Sequence, residues 1–327
     1  MLPAMTLRRV LSLSALVAGA LLLAWQVRRT GVEAIVHGFR AVGGWGAVGI
    51  MFISWLRMAA RSTGWTALLS ADTPPGRALA AVIAGDAAGN LTPLSMLVSE
   101  PAKAAVLTWA VPTVSASAAL AALAAETFFY GVSVAIYSLL GASALLYAYE
   151  IDPALRTAGV VAAGAMIVCL GVAIWMALHK PTVIGSLLSK VPLGPVRRLS
   201  EIVRSFERTA YATTTHPGAR IGVVAASAAI FHVLSFLEMW LTLWLVTGES
   251  LPVAAFILDT VGRLTNAFFK MIPLQLGVLQ VGSELVARAI GLPPGIGVLV
   301  SLIRTARVLV WTAVGLVILG KHGTTHN

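Results

Sequence analysis

Ionisable side chains set in apolar sequence are the groups of this chain best placed to do chemistry. At membrane depth each costs roughly 2.5–3.5 kcal/mol on insertion scales and must find a partner, water or a ligand. They are Asp86, Glu100, Lys103, Asp259, Arg263, Glu284, Arg288, Arg304 and Arg307, and Asn90 adds an amide beside the first group. Glu100 and Lys103 are three residues apart and Glu284 and Arg288 four, one helical turn in each case, so each pair could close within its own helix. Two chemistries are open. One is a set of salt bridges that hold a helical bundle together. The other is a midplane cavity whose cations receive a lipid phosphate or a solute anion and whose carboxylates receive a cationic group or protons. In that case half-helix N termini add partial positive charge.

These residues lie in two similar stretches. Asp86-Ala-Ala-Gly89-Asn90-Leu91-Thr92 is followed by Pro93-Leu94 and then by Ser99-Glu100 with Lys103. Asp259-Thr-Val-Gly262-Arg263-Leu264-Thr265 is followed by Pro273-Leu274 and then by Ser283-Glu284 with Arg288. The spacing from Thr to Ser-Glu is seven residues in the first and eighteen in the second, so the reading is a diverged duplication, against chance similarity between two apolar segments. If the copies are related, Glu100 and Glu284 should approach each other near the bilayer midplane, each on a half-helix preceded by a proline.

Several other motifs fail on context. Gly315 to Lys321 matches a phosphate-binding loop up to its Lys, but His322 stands where Ser or Thr is needed, so no nucleotide site is expected there. Asn90-Leu91-Thr92 has the form of a glycosylation acceptor, yet it sits where a helix breaks and reads better as helix-terminus chemistry. His232 and Glu238 are six residues apart, off metal-ligand spacing, and read as hydrogen-bonded interior groups. No nucleophile elbow, zinc-protease motif or Cys/His cluster is present, so an enzymatic reading has no motif, and neither a cofactor nor a metal is expected.

The elements that must position these groups follow from composition. Over 327 residues 58% are apolar and 11% charged, with a mean hydropathy of +0.89. That leaves too little polar surface to coat a soluble globule. Apolar runs reach the roughly 20 residues that cross hydrocarbon as helix, and no alternating ten-residue pattern suggests a barrel. The expected fold is all-α: one polytopic transmembrane domain over 1–327, with a first half over 1–150, a cytoplasmic basic segment over 180–220 and a second half over 221–327. The net charge of +10 is too interrupted by spans to form a nucleic-acid surface, and serves topology and anionic lipid instead.

In chain order, Val10 to Val27 reads as a first helix too long for a signal peptide. An interfacial stretch up to Gly43-Gly44 comes next, then a span from Trp45 to about Met58 closed by Arg57 and Arg61, with Trp65 as an aromatic interface anchor. Arg77–Leu91 and Pro93–Leu107 are each too short to span and read as a broken or re-entrant pair, tolerated only in the bundle interior. Val111–Glu126 reads as a short helix before the spans Thr127–Tyr149 and Ala158–Leu178. Lys180 to Arg220 carries seven Lys/Arg against Glu201 and Glu207, which makes it cytoplasmic by the positive-inside rule. Its apolar and basic faces suit a helix lying on an anionic leaflet, against a merely topogenic loop. Ile221–Val246 and Pro252–Met271 read as spans, Pro273–Ile290 as the second re-entrant element, and Ile296–Leu319 as the last helix. Loop charges point the Asp86 helix outward and the Asp259 helix inward, which gives the two copies inverted topology; the expected location is an inner membrane, with the N terminus cytoplasmic.

These residues resemble the lysylphosphatidylglycerol synthase transmembrane-region, or flippase-like, integral membrane proteins, including their hopanoid-associated branch. The likeness rests on Trp65 to Leu69, on Asn90-Leu91-Thr92-Pro93 leading to Ser99-Glu100-Pro101-Ala102-Lys103, on Ala118 to Glu126, and on Pro273, Gly282, Glu284 and Arg304. Ser99 stands where the family usually has Gly, and Glu126-Thr127 where an Arg is expected. Larger family members use this region to move aminoacylated phospholipid between leaflets after a separate soluble domain has made it. The resemblance therefore implies translocation of a phospholipid or related amphiphile, without aminoacyl transfer and without ATP. Membrane lipids, anionic or amphiphilic, are the expected partners. The alternative is a structural partner that positions a lipid-modifying enzyme through Lys180–Arg220.

Overall fold

The computed structural model describes residues 31–69, 73–92, 95–182, 218–269, 272 and 275–323, with isolated positions at 24, 25, 28, 186, 208 and 211. Nearly all of the expected first helix Val10–Val27 and of the Lys180–Arg220 segment, together with Pro93 and Pro273, lie outside the described residues. The described chain is helical, with no strand: α1 Val32–Ala67, α2 Pro75–Asn90, α3 Ser95–Ala110, α4 Ala116–Ala148, α5 Pro153–His179, α6 Gly218–Thr247, α7 Pro252–Phe268, α8 Val278–Ala289 and α9 Ile296–Gly323. Five of them are long and apolar enough to cross a membrane, within α1, α4, α5, α6 and α9. The chain is therefore a multi-pass membrane protein. Each of the other four has 17 residues or fewer, and 17 residues at about 1.5 Å each reach roughly 25 Å, short of a full crossing.

Local chemistry accounts for the boundaries. Pro75 and Pro252 open α2 and α7 at first-turn positions, where a missing N–H leaves nothing unsatisfied. Ser115 caps α4 by accepting from Ala118 N, and Asp152 caps α5 by accepting from Ala154 N. The Gly43 break expected in the sequence is a kink inside α1, where Gly43 adopts φ 61°, a left-handed conformation open to a residue without Cβ.

Three expectations change. α4 runs unbroken through Glu126-Thr127, because nothing there interrupts backbone hydrogen bonding and the charge of Glu126 is met by Arg61 from α1. Pro252–Met271 is no full span, since α7 stops at Phe268. Trp65 is no interface anchor: it is 1% exposed and donates through Nε1 to Ala119 O at 3.1 Å.

Two apolar clusters mark the ends of the bundle. One gathers Trp65 and Leu68 from the end of α1, Ala78 from the start of α2, Leu107 from the end of α3, and Ala119 from the start of α4. The other gathers Leu145 from the end of α4, Leu243 from the end of α6, Ala254 from the start of α7, Ala287 from the end of α8, and Val300 near the start of α9. The start of α2 and the end of α3 thus share the first cluster, and the start of α7 and the end of α8 share the second. α1 packs along α6, and α9 lies against α2 and α8, so long helices link the two pairs. α5 packs on α4 and buries only Met166, leaving an apolar surface suited to lipid.

Candidate functional site

The interior between the two helix pairs holds two adjoining groups of charge. The first is built by α1, α6, α7 and α9. Glu238 of α6 accepts from Arg57 Nη1 at 2.7 Å, and from Arg307 Nη1 at 2.5 Å on one oxygen and 2.6 Å on the other. Asp259 of α7 accepts from Arg263 at 3.1 and 3.0 Å, from Tyr137 Oη at 2.9 Å and from Ser235 Oγ at 3.0 Å. Arg304 reaches Asp259 only at 3.8 Å, past hydrogen-bond length. Its guanidinium lies against Gly262, in the space a Cβ there would take. Stacking helps hold the cations: Arg57 lies over the Phe231 ring at 4.7 Å and Arg263 over Tyr137 at 4.4 Å.

The second group is built by α1, α2, α3 and α4. Lys103, with a side chain 2% exposed, contacts Asp86 at 2.8 Å and Glu100 at 3.2 Å, and Ser99 Oγ donates to Asp86 at 3.2 Å. Arg61 pairs with Glu126 at 3.1 Å and stacks on Tyr130 at 4.4 Å. Arg57 and Arg61, one turn apart on α1, join the two groups. Asn90, at the end of α2, donates to Thr312 Oγ1 at 3.0 Å. Thr92 donates to Ala88 O at 3.0 Å, which is the helix-terminus chemistry expected of that stretch.

Glu284 and Arg288 stand apart. They pair at 2.7 Å, and Glu284 also accepts from Gly295 N at 2.8 Å and Val298 N at 3.3 Å. Its carboxylate satisfies the free N–H groups at the start of α9, where the helix dipole also favours a negative charge. The expected approach of Glu284 to Glu100 does not occur. Glu284 meets α9 at Val298 and the α2 tip meets it at Thr312, about 20 Å apart at 1.5 Å per residue.

The structure therefore brings together Asp86, Glu100 and Lys103, and separately Asp259, Arg263, Arg304 and Arg307. The sequence reading missed Arg57, Arg61, Glu126 and Glu238 as members. In sequence Arg57 and Arg61 read as span-end charges, but Arg57 is buried and Arg61 only 20% exposed along its side chain. The signal that would have found them is two acids, Glu126 and Glu238, in otherwise uncharged apolar runs. His232 is an interior group as expected, with Nε2 at 2.9 Å from Ser133 Oγ. Among the described residues no group of His, Cys, Asp or Glu is placed to hold a metal.

The groups differ in charge. Four arginines face two carboxylates in the first, and one lysine and one arginine face three carboxylates in the second. Their unpartnered buried atoms differ in the same sense: Arg57 Nε and Arg307 Nε are donors, whereas Glu100 Oε2 is an acceptor. A cavity of ≈ 10 Å³ opens among Arg57, Ser235, Glu238, Thr242, Asp259 and Arg304, room for about one water. No curated protein and no solved structure matches the chain. The model of one family, the lysylphosphatidylglycerol synthase TM region, matches residues 11–315, and the chain belongs to that family.

Proposed function

We propose that this protein translocates a phospholipid or related amphiphile between the leaflets of an inner membrane, with its N terminus cytoplasmic, without hydrolysing ATP and without changing the lipid covalently. In this reading α2–α3 and α7–α8 are re-entrant pairs of two inverted repeats, and the charges between them form a polar path for a headgroup. The observation that carries it is the placement of the short pairs. α2 starts and α3 ends in one apolar cluster, α7 starts and α8 ends in the other, and the buried charges include Arg57 Nε, Arg307 Nε and Glu100 Oε2 without hydrogen-bond partners, which supports this reading. Short helices with exposed termini are tolerated at membrane depth where they line a cavity. Inverted pairs around a midplane site recur in transporters that alternate access by moving one repeat against the other. Membership of a family linked to lipid handling supports the same reading.

The test compares leaflet exchange of fluorescent phospholipid in proteoliposomes containing wild type or the Glu100→Gln/Arg304→Ala variant. Exchange by wild type, slowed at least tenfold in the variant, is the expected outcome. Equal exchange by both would remove these residues from the path.

A further inference from the structure

We propose that Arg57, Arg304 and Arg307 form a binding site for a phosphate oxyanion, which on the translocation reading is the phosphodiester of a lipid headgroup. The site lies between α1, α6, α7 and α9 and is selective for anions over cations.

Three observations converge on an anion. Four arginines against two carboxylates leave two positive charges in a bundle interior, a balance that a phosphate of one or two negative charges would complete. Hydrogen bonding points the same way. Both oxygens of Glu238 and both of Asp259 already accept from protein donors. Each of these four oxygens therefore has a donor already, whereas Arg57 Nε and Arg307 Nε are buried donors without an acceptor. Lastly, Arg304 borders the cavity with Arg57 and is 3.8 Å from its nearest carboxylate. A guanidinium is a planar fork of five donors suited to grip two oxygens of one phosphate, and Arg304 is the member of the cluster with most of that fork free.

The structure also shows why the site is closed as it stands. A cavity with room for one water does not admit a phosphate. Binding requires α7 and α9 to part, and Gly262 is where they touch through the Arg304 guanidinium. Occupancy by an anion offsets repulsion among the arginines in the opened state. The site thus couples headgroup binding to the opening that translocation needs. The neighbouring cluster around Asp86, Glu100 and Glu126 has the opposite charge balance and takes no part in oxyanion binding.

Two arms test the proposal on the purified full chain. The first measures inorganic phosphate binding in detergent by equilibrium dialysis with radiolabelled phosphate. Saturable binding is expected, weakened at least tenfold in Arg304→Gln and unchanged in Arg288→Gln, whose partly exposed side chain lies outside the cluster. Arg304→Lys, which keeps the charge but not the fork, should fall between them, and monodispersity on size-exclusion chromatography checks that each variant folds. The second measures leaflet exchange of fluorescent phosphatidylcholine against its O-ethyl phosphotriester, in which an ethyl group replaces the negative charge of the phosphate and leaves the lipid a net cation. The diester should exchange at least tenfold faster, with the difference lost in Arg304→Gln. Equal exchange of diester and triester, with no saturable phosphate binding, overturns the site while leaving translocation standing. Phosphate binding that depends on Arg304 without exchange of any lipid keeps the oxyanion site, assigns it to free phosphate, and overturns the translocation reading. Absence of both removes both.

Discussion

Glu238→Gln should be the most destabilising single isosteric change in the interior. The carboxylate is 8% exposed along its side chain and neutralises two guanidiniums, at 2.7 Å and 2.5 Å. Arginine cannot shed its charge as a buried lysine can, so the substitution leaves two buried cations facing an amide that neutralises neither. Removing one partner of a buried ion pair costs about 3–5 kcal/mol. Stacking of Arg57 on Phe231 is present with either residue and cancels, so the expected loss stays at about 3–5 kcal/mol. Glu126→Gln is the internal comparison: its partner Arg61 is 20% exposed and can reach water, so about 1 kcal/mol is expected there. Thermal unfolding of both variants in one detergent supplies the ranking. Adding Arg307→Met to Glu238→Gln should recover part of the loss, since one stranded charge goes with it. A Glu238→Gln loss no larger than that of Glu126→Gln, or no recovery in the double variant, would refute the interior ion-pair network as described.

Other consequences follow from single contacts. Glu284→Gln should lower stability by about 1–2 kcal/mol by weakening the cap on α9, whereas Arg288→Ala, 43% exposed along its side chain, should change it by less than about 0.5 kcal/mol; thermal unfolding separates them. Gly43→Ala should cost about 1–3 kcal/mol, since φ 61° with ψ 178° lies in a region essentially confined to glycine, read in the same assay. Gly262→Ala should displace the Arg304 guanidinium from its seat and weaken phosphate binding at least tenfold in equilibrium dialysis. Single cysteines placed at Ala78 and Ala254 in a Cys169→Ser background should react with membrane-impermeant maleimide from opposite faces in oriented vesicles once the helix ends are loosened by denaturant. Labelling of both from one face would contradict inverted entry of the two pairs.

The fold was legible where hydropathy and helix breakers act locally. Pro252 as a helix start, the break at Gly43 and the brevity of α2, α3 and α8 could be read from residue type and run length, whereas α7 reads as a full span and stops at Phe268. The in-helix pairs Glu100–Lys103 and Glu284–Arg288 were legible for the same reason, since their spacing alone fixes the geometry. Pairings between helices were not. Nothing near Arg57 announces Glu238, 181 residues away, and an arginine at the end of an apolar run reads as topogenic unless its acid is known. The likeness between the Asp86 and Asp259 stretches suggested equivalent sites, yet Asp86 pairs with Lys103 of α3 while Asp259 pairs with Arg263 of its own helix. Glu284 pairs with Arg288 as its spacing implies, but its further partners are backbone N–H groups at the start of α9, which no side-chain pattern reveals. The boundary expected at Glu126 failed because a charge was taken for a helix end when its neutralising partner lay on another helix.

The most direct measurement is the rate at which a headgroup-labelled fluorescent phospholipid becomes accessible to dithionite in proteoliposomes prepared without nucleotide. Translocation predicts that the bleached fraction rises from about half, the outer leaflet alone, toward completion in vesicles that contain the protein, while protein-free vesicles stay at the half level. A bleached fraction that stays at half in both, with the protein shown to be inserted and folded, would contradict the account.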